Sequence, residues 1–273
     1  MAQRYQCKLS PKTLEKANKE LNEPEDNDDR LKAIDDLKKA FQEQNPDMKL
    51  ARDDDEFLLR FLRARKFNQE RALAMITNYH KKTADWPEVF DKVKNPALIS
   101  DTLDLGVVLP LKGKAKDGST IVVGRPGIGG TYNLTDLYAS IFLTMEKMVE
   151  DEETQVYGVT VIQDLAYLGM DYVKQINPSI SRRFVGIVQD SLPLRVKSLN
   201  ATNEPKIFDI VFAMAQPFMK EKIKKRYRLL GQDFTMLYEI IDKSVLPPMF
   251  AGSGPPLDPE EWKQKLFKEE SIL

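Results

Sequence analysis

NEPKIFDIVFAMAQPFMKEKIKKR, residues Asn203 to Arg226, carries far more apolar surface than an ordinary surface helix. Pro205 suits a first helical position, and Asn203 suits the N-cap before it. At helical spacing Lys206, Asp209, Ala213, Gln216 and Lys220 share one narrow stripe, while Ile207, Phe208, Ile210, Val211, Phe212, Met214, Phe218 and Met219 fill the remainder. A surface helix needs an apolar stripe about 100° wide, and this one is much wider. The second half turns basic, with Lys220, Lys222, Lys224, Lys225, Arg226 and Arg228 against the single carboxylate of Glu221. Two structures satisfy that pattern. One is a buried core helix followed by a solvated basic turn. The other is a lid that covers an apolar hollow in water and then meets an anionic membrane.

Composition narrows what the lid could serve. The 273 residues are 42% apolar and 30% charged, with a formal net charge of −1, which suits a globular protein of one large domain or a large and a small one. A near-neutral chain meets an anionic partner through a local patch, and a nucleic-acid partner is not expected. The one cysteine, Cys7, allows no internal disulfide, and a reducing compartment fits. The start, MAQRYQCKLSPK, has no apolar run, so no signal peptide is expected. No run of 18 apolar residues predicts a membrane span, and neither end carries a myristoylation or prenylation box. Contact with membranes is therefore expected to be peripheral, reversible and cytoplasmic.

The first 90 residues read as helices only. Ser10-Pro11 opens one to Leu21. Leu31, Ile34, Leu37 and Phe41 recur at three and four between Asp28 and Gln44. Phe57, Leu58, Phe61 and Leu62 mark another, and Asn68 caps a helix faced by Ala72, Leu73, Ile76 and Tyr79. From Leu105 the period changes. Val107–Leu111 and Ile121–Val123 read as strands around an Asp117-Gly118 turn, Asn133–Glu150 as a helix, and Val159–Ile162 as a strand. Asp171–Asp190 reads as a helix interrupted at Pro178, Val196–Ala201 as a strand, and Asp233–Ile241 as a helix. Alternating strands and helices predict an α/β fold with a largely parallel sheet. The expected division is a helical region over 1–92, an α/β domain over 93–257 and a tail over 258–273.

Catalysis finds little footing. His80, the one histidine, lies on a helix and reads as structural, so neither a zinc site nor a Cys–His pair can form. GRPGIGG, 124–130, lacks the dinucleotide spacing, and Pro126 removes an N–H that a phosphate cradle needs, so it reads as a connecting loop. The acidic runs at 53–55 and 151–153 read as caps or solvated loop. No catalytic residue, metal or cofactor is expected. On one face of a strand lie Val159, Val161 and Gln163, opposite Thr160, Ile162 and Asp164. A buried glutamine or aspartate there requires a partner, from the protein or from a ligand.

DDEFLLRFLRARKF at 54–67, ETQVYGVTVIQDL at 153–165, QDSLPLRVKSLNATNEPKIFDIVFAMAQPFMKEKIKKR at 189–226, LLGQDF at 229–234 and VLPPMFAGSGPP at 245–256 together resemble the CRAL-TRIO lipid-binding family, in order and at family spacing from about residue 50 to 257. Within it the chain is most similar to the branch of α-tocopherol transfer protein, cellular retinaldehyde-binding protein and the clavesins. The resemblance implies a helical N-terminal subdomain and an α/β domain whose sheet floors an apolar cavity. A gate helix closes that cavity, and 203–226 lies where the gate belongs.

The same resemblance implies the sites. Pocket positions on the helix before the central strands are Tyr138, Ile141 and Met145. Val159 and Gln163 come from the strand itself. Ile176, Phe184, Ile187 and Val188 follow, then Leu192, Leu194 and Leu199, with Phe208 and Phe212 on the gate. Serines of the tocopherol pocket are Ile141 and Met145 here, a phenylalanine is Gln163, and the usual FGG is FAG with Ala251. Should the fold demand φ > 0 at Ala251, that residue is strained. The basic cleft that takes a phosphoinositide corresponds to Arg65, Arg195, Lys197, Lys222 and Arg226; two further cleft positions are Ala213 and Gln216. The expected activity is binding and intermembrane transfer of a small hydrophobic isoprenoid, a tocopherol or retinoid, released at phosphoinositide-containing endosomal or plasma membranes. A phosphoinositide-binding trafficking adaptor is the alternative, and a monomer is expected.

Overall fold

The computed structural model describes residues 4–130 and 132–267. Four helices open the chain: α1 Pro11–Leu21, α2 Asn27–Gln44, α3 Asp55–Ala64 and α4 Gln69–Ala84. Each begins where a side chain supplies the missing acceptor for free backbone N–H groups. Ser10, Asp26, Asp54 and Asn68 accept from Thr13, Asp28, Phe57 and Arg71 respectively. Two short helices follow, α5 Pro87–Lys94 and α6 Ser100–Asp104. Their three- and four-residue patterns are too brief to stand out in the sequence.

The α/β part then runs β1 Val108–Lys114, β2 Thr120–Gly124, α7 Leu134–Met148, α8 Glu152–Tyr157, β3 Val159–Asp164, α9 Met170–Val173, α10 Pro178–Asp190 and β4 Val196–Thr202. Next come α11 Phe208–Ala215, α12 Glu221–Lys224, β5 Tyr227–Leu229, α13 Thr235–Ile240 and α14 Pro259–Phe267. The five strands lie in chain order, β1 antiparallel to β2 and the other pairs parallel. Pro178 separates α9 from α10 by occupying the first turn of α10 behind an Asn177 cap. Asp151 caps α8, so both acidic runs hold helix starts.

A parallel sheet must be covered on both faces, and the alternation along the strands assigns each face its own core. Val122, Val159, Val161 and Ala201 join the core that continues into α7 and the N-terminal helices. Ile121, Val123 and Ile162 point to the other side, against Leu237, Ile241, Leu246 and Phe250. The GRPGIGG loop is a chain of turns. Gly127 has φ 87°, and a Cβ there would stand 2.1 Å from the Tyr167 carbonyl oxygen, so close backbone approach accounts for the glycine without a phosphate. Ala251 has φ 51°, the strained conformation that the sequence raised as a condition.

Buried charge ties the helical region to α8 of the α/β part. Glu23 accepts from Arg30 Nε at 2.9 Å and from Arg63 Nε and Nη2 at 2.8 Å each, while Arg63 Nη1 reaches Glu152 at 2.9 Å and Gln155 at 2.8 Å. Of the segment expected as a tail, 259–267 forms α14, whose Trp262 Nε1 donates to Thr144 Oγ1 at 3.2 Å; residues 268–273 lie outside the described part.

Candidate functional site: an apolar face beside a cationic cluster

Every apolar pocket residue expected from the sequence falls in one continuous cluster. The sheet supplies Val159 and Leu199 on its α7-facing side, in register through Val161↔Leu199 and Leu199↔Tyr227. Helix α7 brings Tyr138, Ile141 and Met145, while α10 brings Phe184, Ile187 and Val188. Ile176 lies just before α10, and Leu192 and Leu194 just after it. Phe208 and Phe212 come from the gate. Burial divides them. Val159, Ile187 and Leu192 are closed off, while Ile141, Met145, Ile176, Phe184, Val188, Leu194, Leu199 and Phe212 are only half-buried. Rings bridge the face: Tyr138 stacks on Phe184 at 4.7 Å between centroids, and Phe212 meets Tyr227 at 5.1 Å. A 540 Å³ hollow lined by Arg52, Arg60 and Glu150, and one of 650 Å³ outside α10, lie elsewhere; of the expected pocket residues only Ile187 borders either.

The polar groups of the strand find protein partners. Tyr227 Oη donates to Gln163 Oε1, and Asn203 Nδ2 donates to Asp164 Oδ1 at 2.9 Å. Gln163 keeps its amide N–H groups for another acceptor. Burial pushes the Tyr227 hydroxyl above its ordinary range, so it remains a donor. Tyr227 was missed in the sequence; the short YRL run carried the signal, because strand alternation beside Leu199 sets it on the apolar face.

The gate is shorter than its sequence predicts. Asn203 does not cap it: φ there is 54° and its side chain is spent on Asp164. Helix starts at Phe208, and Pro217 sits in a 3₁₀ turn, Gln216–Phe218, that ends the α-helix at Ala215. The strand's need to satisfy a buried Asp164 outweighs local capping preference. Ala213 and Gln216 are both exposed on this segment.

Four of the cations expected at the cleft, Arg65, Arg195, Lys222 and Arg226, lie close together. Burial, then Arg226, Lys66, Arg195 and Arg65 in that order, hold the Lys222 ammonium below its usual range. Burial chiefly, with Arg226 adding to it, depresses Arg195, and burial depresses Arg65. Groups that lower one another in this way are cations crowded without enough counter-charge. Lys197 stands at the margin, 3.8 Å from Asp117, while Arg195 Nη2 lies 3.6 Å from Glu20. Arg65 Nη2 donates to the Gln189 carbonyl at 2.9 Å, and Arg226 Nη1 to that of Val196. Lys66 was not singled out; it is brought in by left-handed backbone at Lys66 and Phe67 directly after α3.

A helical N-terminal region, a mostly parallel sheet and a greasy helix beside a knot of cations define a class of lipid-binding proteins. The CRAL/TRIO domain model matches residues 106–252 and the CRAL/TRIO N-terminal domain model residues 33–78. Alpha-tocopherol transfer protein-like of Homo sapiens is 36% identical over 268 residues, 97% of this chain and 77% of that protein. Clavesin-2 of Homo sapiens is 33% identical over 269 residues, 97% and 81%, and Clavesin-1 of Xenopus laevis 30% over 263 residues, 95% and 78%. The chain belongs to the CRAL-TRIO family.

Proposed function

We propose that this protein is a non-enzymatic, cytosolic, monomeric carrier of a small hydrophobic isoprenoid, a tocopherol or retinoid, which it moves between membranes. The observation that carries the reading is the set of half-buried apolar side chains on α7, α10, β4 and α11 that gather in one cluster on one side of the sheet. Covering such half-buried apolar groups with an apolar ligand is favourable by about 25 cal/mol per Å². Gln163, with its amide N–H groups open and its carbonyl held by Tyr227, suits a ligand carbonyl or hydroxyl at one end. Release follows when the cations at Arg65, Lys66, Arg195, Lys197, Lys222 and Arg226 meet a phosphoinositide headgroup and the gate, which joins the cluster through Lys222 and Arg226, swings into the interface.

The test is ligand extraction followed by liposome transfer. Mass spectrometry of the protein from native tissue is expected to return a stoichiometric isoprenoid. Arg195→Ala/Lys197→Ala is expected to slow transfer to phosphoinositide vesicles by about one to two powers of ten, at about 1 kcal/mol for each cation near the surface. Wild-type transfer by that variant defeats the release mechanism. Phospholipid alone in the extract favours the second reading, a phosphoinositide-binding trafficking adaptor. The mutual crowding of cations around Lys222 supports it, since a multiply charged headgroup satisfies that site whatever fills the apolar face.

A further inference from the structure

The C-terminal end of α4, the outer side of α10 and the end of the gate border an open hollow of about 650 Å³. Lys82, Arg182, Arg183 and Lys220 line it with two carboxylates, Asp85 and Asp190. Lys220 is bound to Asp190, so Asp85 alone stands against three positive charges. Lys82 Nζ donates to the Gly186 carbonyl at 2.9 Å, and the Arg183 guanidinium lies 5.9 Å from the centre of the Trp86 ring. None of Lys82, Arg182 and Arg183 forms an ion pair among the described residues. Burial holds the Lys82 ammonium below its usual range, only partly offset by Asp190. Arg182 and Arg183 are exposed and Lys82 is half-buried, so the hollow is open to solvent and draws an anion by its local excess of positive charge.

The hollow adjoins the apolar face through Ile187 but shares no cation with the cluster described above. Arg65, Lys66, Arg195, Lys222 and Arg226 do not line it. Its inner wall is Trp86, which meets Tyr138 at 5.5 Å, together with Ile187 of the apolar face, both buried, so the hollow backs directly onto that face. Two adjacent guanidiniums and an ammonium offer forked and single donors to a doubly charged, three-oxygen group. We propose that this hollow is a second anion site, which binds a phosphate monoester group. The proposal does not depend on what occupies the apolar face.

Glycerol 3-phosphate titrated calorimetrically into the full chain probes a soluble source. Flotation with phosphatidylcholine vesicles containing phosphatidate, and no phosphoinositide, probes a lipid headgroup. At least one probe is expected to bind. Vesicle binding alone assigns the site to a lipid, and binding of the soluble probe assigns it to a free phosphate ester. Arg182→Gln/Arg183→Gln is expected to weaken that binding by about tenfold or more, while Arg65→Gln/Lys222→Gln changes binding of glycerol 3-phosphate less than about twofold. Lys82→Met, expected to cost several-fold, carries the test if the double variant melts early by circular dichroism. The proposal fails if neither probe binds more tightly than about 1 mM, if neither set of hollow variants weakens binding, or if the Arg65/Lys222 variant loses as much affinity for glycerol 3-phosphate.

Discussion

Ala251 stands at φ 51° directly before Gly252, where a Cβ would approach the Leu246 carbonyl oxygen to 2.0 Å. The left-handed conformation costs an L-residue about 1–2 kcal/mol, and the extra freedom of an unfolded glycine returns part of that. Ala251→Gly is therefore expected to stabilise by about 0.5–1 kcal/mol and raise the melting temperature by about 2 °C; a lower melting temperature contradicts the strain. His80 is the other residue with a measurable signature. Its Nε2 accepts from Ala51 N at 2.9 Å, a bond only the neutral ring can make, and Nδ1 lies 2.9 Å from the Ile76 carbonyl oxygen. Burial depresses the ring below its ordinary value of 6.5, against the opposing bond to Ile76. The unfolded chain then binds more protons than the folded one just below that value. The contribution is complete above 6.5 and is lost as pH falls from there toward the folded value. Melting temperatures at about pH 7.5 and about pH 5.5 should differ more in the wild type than in His80→Gln. An equal difference in both removes His80 from the account.

The gate shows how an element is held by a neighbour. Gln189, near the end of α10, donates from Nε2 to the Phe218 carbonyl at 3.1 Å and accepts at Oε1 from Lys220 N at 2.7 Å. One side chain thus grips the backbone on both sides of Met219, while Arg65 donates to the main-chain carbonyl of Gln189. Two neutral hydrogen bonds at about 1 kcal/mol each should raise the open population of the gate by about five- to thirtyfold when removed. Gln189→Leu is expected to accelerate limited proteolysis around 216–220 by that factor, and an unchanged cleavage rate there rules the clamp out. The sequence reveals none of this, because a hydrogen bond between residues 189 and 218 leaves no local pattern. It did disclose the gate's excess of apolar residues. It misplaced the start of the helix, since Asn203 had to choose between capping and Asp164.

Across the whole molecule, the helical region and the α/β part are joined through Glu23, Arg30 and Arg63, all sealed from solvent. Glu23→Gln leaves two buried guanidiniums short of charge and is expected to destabilise by about 3–5 kcal/mol, read by urea unfolding. A loss no larger than that of Glu15→Gln, whose pairing with Lys19 is exposed, would show the network to be dispensable. Periodicity made the order of helices and strands legible, because a helix start at Asn68 or a strand at Val159 is written in neighbouring residues. The resemblance of the chain's motifs pointed to the cations, of which Arg65, Arg195, Lys222 and Arg226 lie close to one another while Lys197 stands at the margin beside Asp117. Tyr227 at Gln163 and Lys66 at the cluster came from pairing register and from two left-handed residues, which depend on the assembled fold. The cations around Trp86 belong to the same kind of information: Lys82 and Arg183 lie about a hundred positions apart, and no chain-local chemistry records that α4 and α10 would bring together more positive than negative side chains. Local propensity therefore chose the elements, while long-range contact and desolvation chose which side chains share a site.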